Sequence, residues 1–325
     1  MYLHLFSRQL WPSAATRGKI GFSGGIHDWL STGSWSIIDA VARKKVNLAL
    51  HDYDQFNDAC INDAIRLGSA AFESARAVDV CKEDSRSFAW QFIAYYYSGY
   101  FAANSLMRLC GYACTNINAM DCAEINQSAL LYGVGGTEEK NKIVPGVYYS
   151  TTTRSPVDTW TLSAISSKGG VHIQFWTGFL KFLLELERYI KDSPNAKSDK
   201  DAAGMEIRML IEGLKFSNTN SGAWLSEVRN AVNYRLEYGA WFPYADAENN
   251  GDDLKNIMLS AMDGSISLPQ NTARVPAPVR ASKISAFMLA WLRESLVTLS
   301  SATSKEKKRM LEEGPLKAAG AMLGR

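Results

Sequence analysis

The sequence predicts a mainly α-helical protein with a small β-hairpin or sheet inserted between helices. Apolar residues recur at intervals of three or four over several long stretches, which is the pattern of amphipathic helices. Two short stretches near the middle are rich in β-branched and aromatic residues and flank a proline-bearing turn, as in a β-hairpin. The composition, 46% hydrophobic and 21% charged, is that of an ordinary globular protein.

The first part of the chain contains two predicted helices. Residues 1–50 are rich in glycine, serine and tryptophan, so we expect an irregular or short-stranded segment packed on the helices. Apolar spacing predicts a helix over Asp54–Asp79. A second helix is predicted between the cap at Asp84 and a stop at Gly111. Small residues in its middle favour the close approach of another helix. They are Ser98, Gly99, Ala102 and Ala103.

The segment at about 112–172 differs in character from the helices around it. Its stretches Val144–Thr152 and Thr159–Ile165 flank a turn that contains Pro156, which predicts the β insertion. Helical periodicity then returns. Further helices are predicted at Phe175–Tyr189, Ala203–Phe216, Asp252–Met262 and Ala281–Leu299, with a polar loop at Ser193–Asp201 and an extended connection at Pro269–Pro278.

The predicted organisation has four parts. They are an irregular N-terminal segment (1–50), a bundle (51–244) that carries the β insertion, a helical extension (245–299) and a charged tail (300–325). The tail includes the basic run Lys305–Arg309, so we expect it to be a solvated helix or a partly disordered end.

The stretch of greatest functional interest is WLSEVRNAVNYRLEYGAWFPY, residues 224–244. At about 100° per residue, a helix here has an apolar stripe, and Arg229 lies at the edge of that stripe rather than opposite it. The apolar stripe consists of Leu225, Val228, Val232 and Leu236, and the edge stripe of Ser226, Arg229 and Asn233. Ser221 is a candidate N-terminal cap, and Gly239 is a candidate stop.

The composition narrows the functional class. A formal net charge of +2 argues against a dominant electrostatic attraction to nucleic acid, although it leaves room for a local basic site. Five cysteines in a long chain fit a reducing compartment better than a disulfide framework. The first residues lack a signal-peptide pattern, and charged residues interrupt the most apolar runs. We therefore expect a cytoplasmic protein without membrane contact.

The sequence points to no cofactor or metal site. Cys110, Cys114 and Cys122 are the nearest approach to a ligand set, but Gly111 interrupts the helix and no histidine joins them at ligand spacing. We expect these thiols to be buried and unreactive.

Two motifs carry a resemblance to a known family. The segment AYYYSGYFAANSLMRL (94–109) resembles the tyrosine-rich second helix of HEPN domains. The segment RNAVNY (229–234) is similar to the Arg-x-x-Ala-Asp-Tyr signature in the last helix of one HEPN branch. The resemblance covers about 54–111 and 173–240. It implies an up-and-down helical bundle, a homodimer or an oligomer with an operon partner, and a place among toxin–antitoxin, phage-defence and RNA-processing proteins.

The catalytic form of that family carries an arginine followed, after four to six residues, by a histidine. These side chains cleave RNA without metal through attack of the ribose 2′-OH. The four histidines here are His4, His27, His51 and His172, and none has that spacing from an arginine. Position 234 is instead a tyrosine, which is a poor base near neutral pH because its ordinary pKa is about 10.

Two hypotheses of different classes follow. In the first, Arg229 contacts phosphate, Asn233 orients a ribose and Tyr234 donates a proton or stacks, which would make a ribonuclease or nucleotide-binding site. In the second, the bundle is an assembly, sensor or RNA-binding subunit, and the same residues form a polar network or a dimer contact. The missing histidine favours the second hypothesis.

Five further residues on or near this helix, or in the tyrosine-rich segment, are candidates for binding. They are Asn230, Arg235, Trp241, Tyr244 and Tyr96. The turn at 241–244 fits a packed plug better than a base-stacking platform. The tyrosine run at 95–97 fits core packing with hydroxyls at the rim. His172 is the histidine to compare with the focal helix, although its position at a helix start favours capping or packing.

Overall fold

The computed structural model describes residues 1–16, 21–41, 44–80, 88–134, 142–154, 156–165, 169–241, 251–269 and 275–322. The elements up to residue 131 are α1 (Leu3–Ser7), α2 (Ser13–Thr16), α3 (Ile26–Leu30), β1 (Trp35–Val41), β2 (Lys45–Leu50), α4 (Tyr53–Val80), α5 (Ala89–Leu109), β3 (Tyr112–Ile117) and α6 (Ala119–Leu131). The later elements are β4 (Gly146–Thr153), β5 (Thr159–Ala164), α7 (Val171–Asp192), α8 (Lys197–Leu214), α9 (Trp224–Tyr234), α10 (Gly251–Asp263), α11 (Ala277–Ala302), α12 (Lys305–Glu313) and α13 (Pro315–Ala321).

The expectation of a mainly helical protein with a small sheet is confirmed. No helix within the described ranges is long and apolar enough to cross a membrane.

Helix α5 lies at the centre of the helical part and packs against α4, α7, α9 and α11. Its predicted apolar face is buried as expected. At Gly99 the backbone of α11 comes so close that a Cβ atom would lie 2.9 Å from the Cα of Ser285. The small residues of α5 therefore permit the close helix approach that the sequence predicts.

The sheet has five antiparallel strands in the order β1-β2-β5-β4-β3. The predicted hairpin of β4 and β5 is confirmed, with Ser150 opposite Leu162. Within residues 1–50, the short-stranded alternative holds for β1 and β2, which form a hairpin that extends the sheet from β5. The expected insertion and the N-terminal segment thus form one sheet, since Leu48 pairs with Trp160.

Both faces of the sheet are covered. On β4, Val147 and Tyr149 belong to the core formed with the helices, whereas Tyr148 belongs to a second core on the other face. Trp29, Phe56 and Trp160 pack edge to face or tilted in that second core. The alternation follows from the two-residue period of a strand.

The structure changes two predicted helix boundaries. Helix α8 begins at Lys197, within the stretch expected to be a polar loop. Helix α9 ends at Tyr234 rather than near Gly239, because Leu236 adopts a left-handed conformation with φ of 56°. Leu236 consequently leaves the apolar stripe and is 48% exposed. Ser221 does not cap this helix, because the residue at the N-cap position is Ala223.

Of the two alternatives expected for the tail, a solvated helix or a partly disordered end, residues 305–321 fit the helix, because they form α12 and α13 and most side chains of α12 are exposed. Helix α13 packs against α4. Leu311 is buried, and so is Lys307, whose Nζ lies 3.0 Å from Oδ1 of Asp58 on α4. The two charges have to stay in contact, because a buried charge without a partner destabilises the folded state. The charged tail is therefore part of the folded body.

We expect Gly99→Ala to lower the free energy of unfolding by about 1–3 kcal/mol, because the added methyl group would overlap the α11 backbone. The matched control is Gly204→Ala on α8, where the new methyl group meets only the flexible end of Arg208 at 3.5 Å. This control should raise stability by about 0.5–1 kcal/mol, since alanine is the better helix former. Chemical denaturation of both variants measures the two changes. A Gly99→Ala variant of unchanged stability would contradict the close packing.

Candidate functional site

The side chain of Arg229 reaches from α9 to α5. Its Nη2 donates to the hydroxyl oxygen of Tyr97 at 2.9 Å. Its Nη1 donates to Tyr234 at 3.3 Å and to Oδ1 of Asn230 at 3.0 Å. The side chain of Asn233 is half-buried and forms no hydrogen bond with the described residues, so it is not part of the polar network around Arg229. Two phenols and one amide hold the guanidinium.

Arg229 carries a positive charge without a carboxylate partner among the described residues. Its Nε is inaccessible and has no hydrogen-bond acceptor there. Partial burial opposes the charged form, but the Tyr97 contact and the neighbouring tyrosines outweigh it and raise the pKa of Arg229. The neutral partners stabilise the cation without neutralising it, so the net positive charge of this half-buried group favours an anionic ligand.

Aromatic rings surround this cation. The Cζ atom of Arg229 lies 5.9 Å from the ring centre of Tyr96, 5.8 Å from that of Tyr97 and 5.2 Å from that of Tyr234. At such distances the negative ring faces attract the guanidinium. The ring of Tyr234 is 68% exposed, so the group opens to solvent on that side.

His172, in the first turn of α7, joins the same group of side chains. Its ring centre lies 5.6 Å from that of Tyr96, 5.8 Å from that of Tyr97 and 4.8 Å from that of Tyr100. The Nδ1 atom is 3.0 Å from the Tyr96 hydroxyl, which also accepts a hydrogen bond from Nε1 of Trp176. Tyr96 and Tyr97 therefore touch both Arg229 and His172.

The environment keeps His172 neutral near pH 7. Burial lowers the pKa of His172, and the positive charge of Arg229 lowers it further. Burial also raises the pKa of Tyr96 above its ordinary range, so this phenol stays protonated beside the imidazole. The Nε2 atom of His172 makes no hydrogen bond within the described part of the chain. A neutral imidazole with a free nitrogen is a candidate proton acceptor or donor.

The other predicted binding residues occupy two different settings. Arg235 pairs with Glu237 on the surface and takes no part in the Arg229 group. Trp241 is half-buried, and its Nε1 donates to the carbonyl of Val232 at 2.8 Å. Tyr244 lies outside the described residues.

The described residues contain no group of three or more histidine, cysteine or acidic side chains that could hold a metal ion. Cys110, Cys114 and Cys122 are buried thiols. Burial raises the pKa of Cys114 to about 12 and that of Cys122 to about 11.

Sequence reasoning did not assign Tyr97, Tyr100 or His172 to the site. Tyr97 follows Tyr96 directly but is only half-buried, because it lies on a different side of α5. The helical period shows which residues lie on that side only when the buried side of the helix is known. His172 comes from a different helix, so no spacing within α9 reveals it.

We expect the pKa of His172, followed by NMR, to lie below 6.5 and to rise when Arg229→Gln removes the nearby charge. The groups that face His172 from α5 and α9 are Tyr96, Tyr97, Tyr100 and Arg229. Arg235→Gln is the matched control and should leave the titration unchanged.

The sign of the stability effect follows from the lowered pKa. Below about 6.5 the unfolded chain binds more protons at this position than the folded chain does, so His172 makes the free energy of unfolding fall as the pH falls through this range. His172→Gln should weaken that dependence. A midpoint at or above the ordinary value in the unsubstituted protein would contradict the described burial.

No protein-family model, curated protein or solved structure gives a significant match to this chain.

Proposed function

We propose that this protein is an RNA-binding subunit of a prokaryotic anti-phage defence or toxin–antitoxin system, and that Arg229 binds an RNA phosphate. The observation that supports the proposal is the half-buried guanidinium of Arg229, whose hydrogen-bond partners among the described residues are all neutral. The biological setting, and assembly into a homodimer or with an operon partner, follow from the HEPN resemblance of residues 94–109 and 229–234.

The phenols beside Arg229 suit a phosphate. Tyr97 and Tyr234 accept hydrogen bonds from the guanidinium, which leaves the O–H proton of each phenol for donation to another acceptor. A phosphate at this edge would receive hydrogen bonds from Arg229 and both hydroxyls. Hydrogen bonds between a guanidinium and phosphate are charge-assisted and stronger than neutral ones. This donor set selects for an anion rather than for a neutral ligand.

We expect Arg229→Gln to weaken RNA binding by roughly 10- to 100-fold, which corresponds to the loss of a charged hydrogen bond worth about 1.5–3 kcal/mol. Fluorescence anisotropy with labelled RNA at several salt concentrations measures the change. The slope of log affinity against log salt should also fall by about one.

Arg235→Gln is the control for this experiment, because Arg235 is a nearby arginine already paired with Glu237. Its effect on affinity should be small. Equal losses in the two variants would show that the surface charge alone binds RNA. An unsubstituted protein without measurable RNA affinity would remove the proposal and leave the assembly or sensor role.

A second candidate function is metal-independent RNA cleavage, and the position of His172 favours it. His172 supplies, from α7, a neutral imidazole close to the tyrosines that hold Arg229. In this mechanism Nε2 accepts the proton of a ribose 2′-OH as that oxygen attacks the neighbouring phosphorus. Arg229 stabilises the added negative charge, and Tyr234 donates a proton to the leaving 5′ oxygen. The products are a 2′,3′-cyclic phosphate and a 5′-hydroxyl end.

If the protein cleaves RNA, cleavage should proceed in the presence of EDTA and fall at least 100-fold in His172→Ala, because proton transfer of this kind contributes about 10²–10⁴-fold. RNA binding by this variant should stay close to that of the unsubstituted protein. His51→Ala is the control, since His51 is exposed and lies outside the site. The rate should rise with pH through a midpoint below 6.5, as the lowered pKa of His172 requires. Cleavage that survives both His172→Ala and Arg229→Gln would place the reaction elsewhere.

A further inference from the structure

A large aromatic side chain, Trp90, stands exposed at the start of α5. Its exposed fraction is 58%, although tryptophan is among the most costly side chains to leave in water. Scattered exposed apolar residues are normal in proteins, so exposure alone assigns no role. Its neighbours and its distance from Arg229 distinguish Trp90 from such residues.

Trp241 holds Trp90 in a defined place. The two ring centres are 5.5 Å apart and the ring planes meet at 83°, which is a favourable edge-to-face contact. Trp241 is itself fixed, because its Nε1 donates to the carbonyl of Val232 on α9. Trp90 is thus supported on one side by an anchored ring and remains largely open to solvent.

The tryptophan pair and the Arg229 site lie along the same seam between α5 and α9. Trp90 and Tyr97 are seven residues apart on α5, which places them about 10 Å apart and on nearly the same face. Tyr97 contacts Arg229, and Trp241, bonded to Val232, contacts Trp90. The anion site and the exposed aromatic ring are therefore separated by about two helical turns along α5. A polynucleotide strand repeats the same two features, a phosphate and an aromatic base.

We infer that Trp90, supported by Trp241, is a stacking platform for an unpaired base of the strand whose phosphate binds at Arg229. This inference rests on the proposed function. It specifies a single-stranded ligand, because the faces of bases in a duplex are covered by their neighbours, whereas a splayed base can stack on an aromatic side chain. Such a platform accepts any base, since each base has an aromatic face. Affinity rather than sequence preference is its contribution.

The test compares three probes: a short single-stranded RNA, its abasic sugar-phosphate counterpart and the corresponding RNA duplex. Trp90→Ala should weaken binding of the single strand by roughly 5- to 100-fold, as expected for one lost stacked base. Its affinity for the abasic strand should match that of the unsubstituted protein. Trp90→Phe should restore most of the single-strand affinity. Tyr132→Ala removes an equally exposed aromatic ring beyond the end of α6 and should have no effect.

The outcomes separate this inference from the proposed phosphate site. If Arg229→Gln weakens all three probes while Trp90→Ala weakens none, the stacking platform is wrong and the phosphate site stands. If Trp90→Ala weakens the abasic strand as much as the base-bearing strand, Trp90 acts on the backbone or on the fold, and the platform is again wrong. If the unsubstituted protein binds none of the probes, both proposals fail.

Discussion

The close contact between α5 and α11 at Gly99 is the constraint on which the candidate site depends. Because a Cβ atom at Gly99 would overlap the backbone of Ser285, this side of α5 is held against a rigid surface. Tyr97 lies nearly opposite Gly99 around the helix and bonds to α9, and Tyr96 lies between these two sides and contacts α7. Hydrogen bonds of about 3 Å tolerate little displacement. The alignment of Arg229 and His172 therefore depends on packing across the helix, out of reach of any ligand.

The parts of the fold that the sequence predicts well are those stabilised by local patterns. Helices α4, α5 and α7 and the β4–β5 hairpin show clear periodicity, and the hairpin strands follow each other directly. The places of β2 and β3 in the sheet are harder to predict, because β2 pairs with β5 and β3 pairs with β4 over long separations in the sequence. The end of α9 was missed for another reason. Leu236 fits the apolar stripe, yet its left-handed backbone carries it into solvent, and no residue pattern required that.

The candidate site was only half predictable. Arg229 and Tyr234 lie in one short helix, less than two turns apart, and both belong to the motif that the sequence singles out. Tyr97 and His172 belong to two other helices, and only the packing of α5, α7 and α9 brings them to Arg229. A search for a histidine shortly after an arginine in the sequence cannot find this arrangement. The chemistry of such a cluster depends on the tertiary structure, even where each residue type is recognisable in the sequence.

Contacts between segments that are far apart in the sequence also determine when this protein can fold during synthesis. Trp291 on α11 donates a hydrogen bond to Ser7 on α1, and β2 pairs with β5 on the side of the strand that β1 leaves open. Both contacts pair a segment made early with one made late, so the early segments leave the ribosome with apolar faces still uncovered. Until α11 emerges, Gly99 of α5 lacks the Ser285 backbone that packs against it. The architecture therefore postpones the final packing of α5 until α11 has been made.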